Sequence, residues 1–249
     1  MNFVCNSPIF NNFIIPGVQF RSGSAVHPVV TSADRDCFST NPLFENRDKA
    51  YWTQLAKSNP RIQEILRENN IPTEINIREL EKLQKGHLLD TRITAAKIYS
   101  TLPQAIKEEV NLSDLQQAAM LHDYGKIMIP EKILNKEGKL SPQEKKIIEL
   151  HSELGYELLK QQGIEPQILN LVKYHHQQTD GGGYPSITNG FVPDISLEIL
   201  AAADKYSALR EQRSYKSALS REEALRIMHH DVDKGLISEE VYQALEQIN

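Results

Sequence analysis

The 249-residue chain contains only two cysteines, Cys5 and Cys37, far apart and in no Cys-x-x-Cys pattern. That excludes a disulfide framework and a thiolate zinc site, and a reducing, cytoplasmic setting is the default expectation. No apolar run approaches the roughly 20 residues of a membrane span, so neither a membrane protein nor a membrane partner is expected. No excess of positive charge is present either. The formal net charge is −5, which argues against DNA or RNA as a partner and means that an anionic ligand would need a local positive centre. The first sixteen residues have apolar stretches, but Asn6, Ser7, Asn11 and Asn12 interrupt them and no basic segment precedes them, so a signal peptide is not expected. There is no internal repeat and no low-complexity tract.

What is present is an ordinary globular composition, 40% hydrophobic and 24% charged, arranged in helical periods. Residues 1–46 are rich in Asn, Ser, Pro and Gly without a sustained period and read as irregular. Helical patterning starts near Arg47 and recurs over Arg61–Asn69 and Ile77–Thr101. Ser113 is expected to cap a helix over Asp114–Lys126, Ser141 a long helix over Pro142–Gln162, and Ser196 a helix running to Arg210. Ser220 with Glu223 forms a capping box, and Gly163 suits a helix end. Asp180-Gly181-Gly182-Gly183-Tyr184-Pro185 is expected to be a loop. The fold class is therefore all-α, with residues 1–76 an N-terminal region that is irregular and then helical, and residues 77–249 a helical domain. An oligomeric contact or a signalling partner would act through residues 1–76.

The informative residues are histidines at positions where a helix should carry leucine. Residues three, four and seven apart share a helix face. By that rule His87 lies with Leu80 and Leu83, and His122 with Leu115, Ala118 and Ala119. His151 joins Ile147, Leu154 and Leu158, His175 joins Ile168, Leu171 and Val172, and Asp204 joins Leu197, Leu200 and Ala201. A single inward histidine is most simply a core residue satisfied by a backbone carbonyl. Four with an aspartate, each on a core face, are better explained by a shared cation, because a buried carboxylate and several buried imidazoles all need partners. By contrast, His229 and His230 follow Glu222, Glu223 and Arg226, a solvated face, and His27 lies in the irregular segment. Imidazole and carboxylate without thiolate suit Fe, Mn, Zn, Ni or Co rather than Ca or Mg. His87, His122, Asp123, His151, His175, His176 and Asp204 are too many ligands for one tetrahedral ion, so two or more are expected, with Asp123 able to bridge.

His122-Asp123-Tyr124-Gly125-Lys126 matches the HD-x-G-K signature of HD phosphohydrolases. His175-His176 followed by Asp180-Gly181-Gly182-Gly183-Tyr184-Pro185 matches the HH…DGxGYP signature of their HD-GYP subgroup. The chain resembles that family over roughly His87 to Leu225. The resemblance implies an HD-type helical bundle with a site of two or three divalent ions, commonly iron or manganese. It further implies hydrolysis of cyclic di-GMP, with hydroxide generated at the metal as nucleophile. His122, Asp123, His151, His175, His176 and Asp204 would be ligands, with His87 added; Asp123 and Lys126 would be catalytic, Lys126 meeting the scissile phosphate. Asp180, Gly183, Tyr184, Pro185 and Arg213 would contact the cyclic dinucleotide, and Asp180 is one candidate for protonating the leaving 3′-oxygen.

Blander roles exist for each. Lys126 can complement a helix dipole, Tyr184-Pro185 can be a rigid loop end, and Arg213 can be solvated. The sequence departs from the family pattern at Gln177 and Ser207, where acids are usual, and at Leu83, where a Glu precedes the first His; the first two are expected to touch the outer shell of the site or a third ion. The alternatives are an HD phosphohydrolase acting on another nucleotide or cyclic dinucleotide, and a non-catalytic dinucleotide-binding or interaction protein.

Overall fold

In a computed structural model, residues 47–178, 181–212 and 217–248 are described. The irregular N-terminal segment, including Cys5, His27 and Cys37, lies outside them. The described residues form helices α1 (Lys49–Ser58), α2 (Pro60–Glu68), α3 (Ile77–Lys85), α4 (His87–Thr101), α5 (Gln104–Lys107) and α6 (Leu112–Leu121). A 3₁₀ segment, Tyr124–Met128, leads to α7 (Glu131–Leu134), α8 (Pro142–Glu149), α9 (His151–Leu159) and α10 (Pro166–Tyr174). After two short strands, β1 (His176–Gln177) and β2 (Gly183–Tyr184), come α11 (Ile195–Arg210), α12 (Arg221–Asp233) and α13 (Glu239–Gln247). The fold is helical, as the periodicity predicts. No helix among the described residues is long and apolar enough to cross a membrane.

α4 packs against α6 and α11, α10 against α6 and α9, and α9 against the 3₁₀ segment. The interior is built of Leu88, Ala95 and Ile98 from α4, Leu115, Ala118 and Ala119 from α6, Leu154 and Leu158 from α9, Val172 from α10, and Leu200 and Ala203 from α11. Burying side chains of this size contributes about 1.5–3 kcal/mol each for the larger ones, before the cost of ordering the chain. α1 and α2 pack on this bundle. Trp52 is buried and meets Tyr124 edge-on at 6.2 Å between centroids. Asn59 caps α2 through the Arg61 and Ile62 amides while its Nδ2 donates to the Glu157 carbonyl.

Several helix bounds differ from expectation. The run expected over 77–101 breaks at Gly86, whose φ/ψ of −124°/−104° are not helical. Asn111, not Ser113, caps α6, its side chain accepting from the amides of Ser113 and Asp114, and Asp194, not Ser196, caps α11 by accepting from Leu197. In both cases the earlier residue is an equal or better capping type. The helix expected to reach Lys126 stops at Leu121 and tightens into the 3₁₀ segment, and the helix expected over 142–162 turns at Leu150 into two. The Ser141 and Ser220 capping boxes form as expected. The segment expected to be only a loop makes a two-residue antiparallel pairing, His176 opposite Tyr184 and Gln177 opposite Gly183.

Two glycine sites set these close approaches. A Cβ on Gly125 would lie 1.9 Å from the His151 carbonyl oxygen and 2.5 Å from the Gly155 amide nitrogen, so the 3₁₀ segment touches α9 backbone to backbone. Gly183, at φ +88°, would place a Cβ 2.2 Å from the His176 carbonyl oxygen. Gly125→Ala is expected to lower stability by about 3 kcal/mol, because the atoms in the way belong to backbone that cannot step aside. Equilibrium denaturation of the variant, read against the wild-type chain, checks this.

Candidate metal centre

The helix ends explain how neighbouring residues face one point. Along a regular helix, consecutive side chains diverge by about 100°. His122 and Asp123 escape that because α6 ends at Leu121, and His175 and His176 because α10 ends at Tyr174 and the chain turns into β1. His151 opens α9 just past the turn at Leu150, His87 opens α4 just past Gly86, and Asp204 sits within α11. His87, His122, Asp123, His151, His175 and Asp204 are all buried, and His176 lies at the rim.

The distances bring all seven expected ligands together. His87 Nε2 is 2.8 Å from Asp204 Oδ1 and 3.6 Å from Asp123 Oδ2. His122 Nε2 is 3.4 Å from Asp123 Oδ2 and 3.6 Å from Asp204 Oδ1. His151 Nε2 is 3.3 Å from Asp123 Oδ1, and His176 Nδ1 is 4.0 Å from Asp204 Oδ2. Three overlapping groups have ligand atoms within 4.8 Å of one another: His151, His175 and His176; His122, Asp123 and His175; and His87, His122 and Asp204. The Asp123 carboxylate turns one oxygen toward His151 and the other toward His122 and His87.

Three of the histidines are oriented by the same local bond. Nδ1 of His122, His151 and His175 lies 2.7–2.8 Å from the carbonyl oxygen three residues earlier, on Ala119, Ile148 and Val172 respectively. A carbonyl can only accept, so each Nδ1 carries the hydrogen, and in the neutral ring Nε2 is a bare lone pair. Those carbonyls belong to the last turns of α6, α8 and α10, where a helix leaves acceptor capacity to spare. His151 Nε2 and His175 Nε2 then face each other at 3.2 Å.

Two bare lone pairs at that distance repel. Burial also keeps both rings from protonating: it pushes His151 down to about 3 and, helped by His176 and His122, holds His175 well below the usual histidine range. Burial likewise lowers His176. The donor set therefore fits a cation held between the lone pairs, an arrangement in which orienting bonds to the other ring nitrogen are the rule. The buried His122 Nε2 and Asp123 Oδ1, neither with a hydrogen-bond partner among the described residues, fit the same conclusion.

The charge balance agrees. Burial alone would raise both aspartates, yet Lys126 and His122 hold Asp123, and His122 and His87 hold Asp204, well below the usual carboxylate range. Burial opposes charge on His122, but Asp123 and Asp204 outweigh it and push His122 up to about 10. A proton there compensates two buried anions, which a divalent ion would do in its stead.

The remaining expected residues surround this centre unevenly. Lys126 Nζ donates to Asp123 Oδ2 from the 3₁₀ segment. The Tyr184 ring lies over His176 at 4.6 Å and edge-on to His151 at 6.1 Å. Gly183 pairs with Gln177, and the Pro185 carbonyl accepts from Gln177 Nε2. Asp180 and Arg213 lie outside the described residues. His229 and His230 are exposed near Asp233. Sequence reasoning missed Glu211, whose Oε2 lies 4.0 Å from His87 Nδ1. Its signal was available: it falls seven residues after Asp204, on the same helical stripe.

Residues 73–240 match the family model for the HD domain. The chain belongs to the HD-domain family. Within it, His175-His176 and the Gly183-Tyr184-Pro185 turn mark the HD domain as the HD-GYP type. It is similar to the 3'3'-cGAMP-specific phosphodiesterase 1 of Vibrio cholerae, with 32% identity over 58% of this chain and 35% of that protein. It is also similar to a cyclic di-GMP phosphodiesterase of Thermotoga maritima, with 39% identity over 55% of this chain and 37% of the relative. A cyclic di-GMP phosphodiesterase response regulator of Xanthomonas campestris matches at 38% identity over 49% and 32%. The HD domain thus spans about a third of the length of these curated relatives. Among solved structures, an HDG"Y"P protein from Bdellovibrio bacteriovorus superimposes with a TM-score of 0.50 at 14% identity, covering 85% of this chain and 66% of that one, a likeness of fold.

Metal binding to the HD domain is expected to release about one proton near neutral pH, because His122 must give up the proton that its raised pKa retains. Apparent affinity should accordingly fall about tenfold for each unit of pH lowered. Calorimetric titration of metal-stripped protein in two buffers of different ionisation enthalpy measures that proton directly.

Proposed function

We propose that this chain is a metal-dependent phosphodiesterase that hydrolyses a cyclic dinucleotide, cyclic di-GMP foremost, with its catalytic domain at residues 77–249 and α1 and α2 as a packed flank. The observation carrying this reading is the pair of bare imidazole lone pairs, His151 Nε2 and His175 Nε2, 3.2 Å apart in a buried site with two ionised aspartates. The resemblance to phosphodiesterases named for cyclic di-GMP and for 3'3'-cGAMP supports the substrate class. The second substrate of that pair is the competing choice.

His151, His175 and His176 would hold one ion and His87, His122 and Asp204 a second, with Asp123, whose two oxygens face His151 on one side and His122 and His87 on the other, available to both; iron or manganese would suit the mixed imidazole and carboxylate donors. Bound there, such ions supply Lewis-acid polarisation of a phosphate and a lowered pKa for water at neutral pH.

The chain's own residues do the rest. Lys126 leans on Asp123, which holds its ammonium beside the centre, where it can donate to a non-bridging phosphate oxygen. Asp123 takes part through both oxygens and keeps its charge because Lys126 and His122 stand beside it. The ring of Tyr184, tilted against His176, forms one wall of the approach to the site, and burial raises its hydroxyl's pKa, so it stays a neutral donor for a base or phosphate. Gly183 and Pro185 keep the backbone of that wall close to the pocket. On the sequence alone, Asp180 is one candidate for protonating the leaving 3′-oxygen, beside a metal-bound water, and Arg213 a candidate for the distal phosphate or guanine.

The full chain, reconstituted anaerobically with manganese or ferrous ion, is expected to convert cyclic di-GMP to linear dinucleotide or GMP in a chromatographic assay that also presents 3'3'-cGAMP and nucleoside monophosphates. Turnover of monophosphates alone would make it a nucleotide phosphohydrolase, and dinucleotide binding without a linear product would make it a receptor. Asp123→Ala is expected to lose both retained metal and hydrolysis. Lys126→Met should keep its metal and lose about 100-fold in kcat, the size of effect seen when one preorganised donor to a reacting oxygen is removed; elemental analysis beside the assay separates the two variants.

A further inference from the structure

His87 is the one inward histidine whose orientation the helix-end device does not explain. Its Nε2 donates to the ionised Asp204 Oδ1 at 2.8 Å, and its Nδ1 is buried without a hydrogen-bond partner among the described residues. The cause is local. His122, His151 and His175 each follow a finished helical turn whose last carbonyls are available, whereas His87 opens α4 directly after the break at Gly86. If Nε2 is to give its lone pair to a cation, the hydrogen of the neutral ring sits on Nδ1, and there, in a site only 3% exposed, it needs an acceptor. The acid nearest to it is Glu211, at the end of α11, with its Oε2 4.0 Å from Nδ1 and its side chain only 26% exposed.

We infer that Glu211 is the positioning residue for His87, accepting the Nδ1 hydrogen after a small side-chain rotation or through a single water, and so presenting the Nε2 lone pair to the cation. At 4.0 Å the two atoms are too far apart for a direct bond and at a suitable distance for either route. The inference rests on the reading of His87 as a metal ligand. Its physical content is that this chain orients three of its histidine ligands with backbone carbonyls and His87 with a carboxylate, which besides fixing the tautomer makes the ring a stronger donor. α11 then contributes twice to one ion, through Asp204 directly and through Glu211 by way of His87.

The test is manganese binding to the metal-stripped full chain by calorimetry, alongside histidine ring ¹⁵N shifts of the zinc-loaded protein. Glu211→Ala is expected to weaken one class of manganese site about 10- to 100-fold at unchanged stoichiometry, and to change the His87 ring shifts away from a single Nδ1–H tautomer. Glu211→Gln, which keeps an acceptor oxygen but not the charge, should recover the tautomer and part of the affinity. Loss of one whole ion in Glu211→Ala would make Glu211 a ligand itself and overturn the positioning role. Unchanged affinity and unchanged His87 shifts would overturn it as well, as would an equal loss in both variants together with a lower melting temperature of the metal-free protein. His87→Ala separates this from the reading beneath it: if that variant binds manganese as the wild type does, His87 is not a ligand, whereas if it loses affinity and Glu211→Ala does not, only the present inference fails.

Discussion

The bond from a histidine Nδ1 to the carbonyl three residues before it decides the chemistry of this interior. It uses a carbonyl where the end of a helix leaves acceptor capacity to spare, fixes which ring nitrogen carries hydrogen, and aims the other at the centre. Made three times, from α6, α8 and α10, it aims three Nε2 atoms into one small volume with two ionised aspartates, and burial keeps those of His151 and His175 bare. Neutral imidazoles and carboxylates gathered that closely would be unstable without positive charge among them. Lys126 and a proton on His122 supply some of it, and a divalent ion would take the place of that proton.

That arrangement constrains the fold around it. If adjacent residues such as His122 and Asp123 are both to face inward, the helix must stop between them and the bundle, and the stop has to be held. Backbone contact of Gly125 with His151 and Gly155 holds the first stop; the pairing of Gly183 with Gln177 holds the second. The glycines of both signature motifs thus act on the position of the neighbouring histidines, through the space that a missing Cβ leaves, as much as on the loops in which they lie.

Periodicity was a good guide to what lies inside and a poor one to where helices end. His122 and His175 were assigned inward by the stripes of α6 and α10, and both are buried, because a C-terminal residue still projects along the face of the last turn. The same reasoning extended α6 to Lys126, since nothing in the spacing of apolar residues marks a tightening into a 3₁₀ turn. Asn111 and Asp194 were overlooked as caps in favour of serines two residues later, a choice between similar capping types that only backbone geometry makes. Glu211 was missed for another reason. Its place seven residues after Asp204 is a signal, but one outweighed by its being a charged residue at a helix end, which ordinarily means a solvated one.

Gln177 and Ser207 show how a departure from a family's usual residue can be read from its contacts. Ser207 Oγ meets Thr94 Oγ1 at 3.2 Å, joining α11 to α4 through two buried hydroxyls. Gln177 is buried and donates its amide hydrogen to the Pro185 carbonyl. An ionised carboxylate at 177 would have no hydrogen to give and would face that carbonyl oxygen with like charge. In this chain the amide therefore ties the end of the Gly183-Tyr184-Pro185 turn to β1, beside the histidine that the Tyr184 ring contacts. A change from acid to amide at this position exchanges a charge near the centre for a clamp on the turn that borders it.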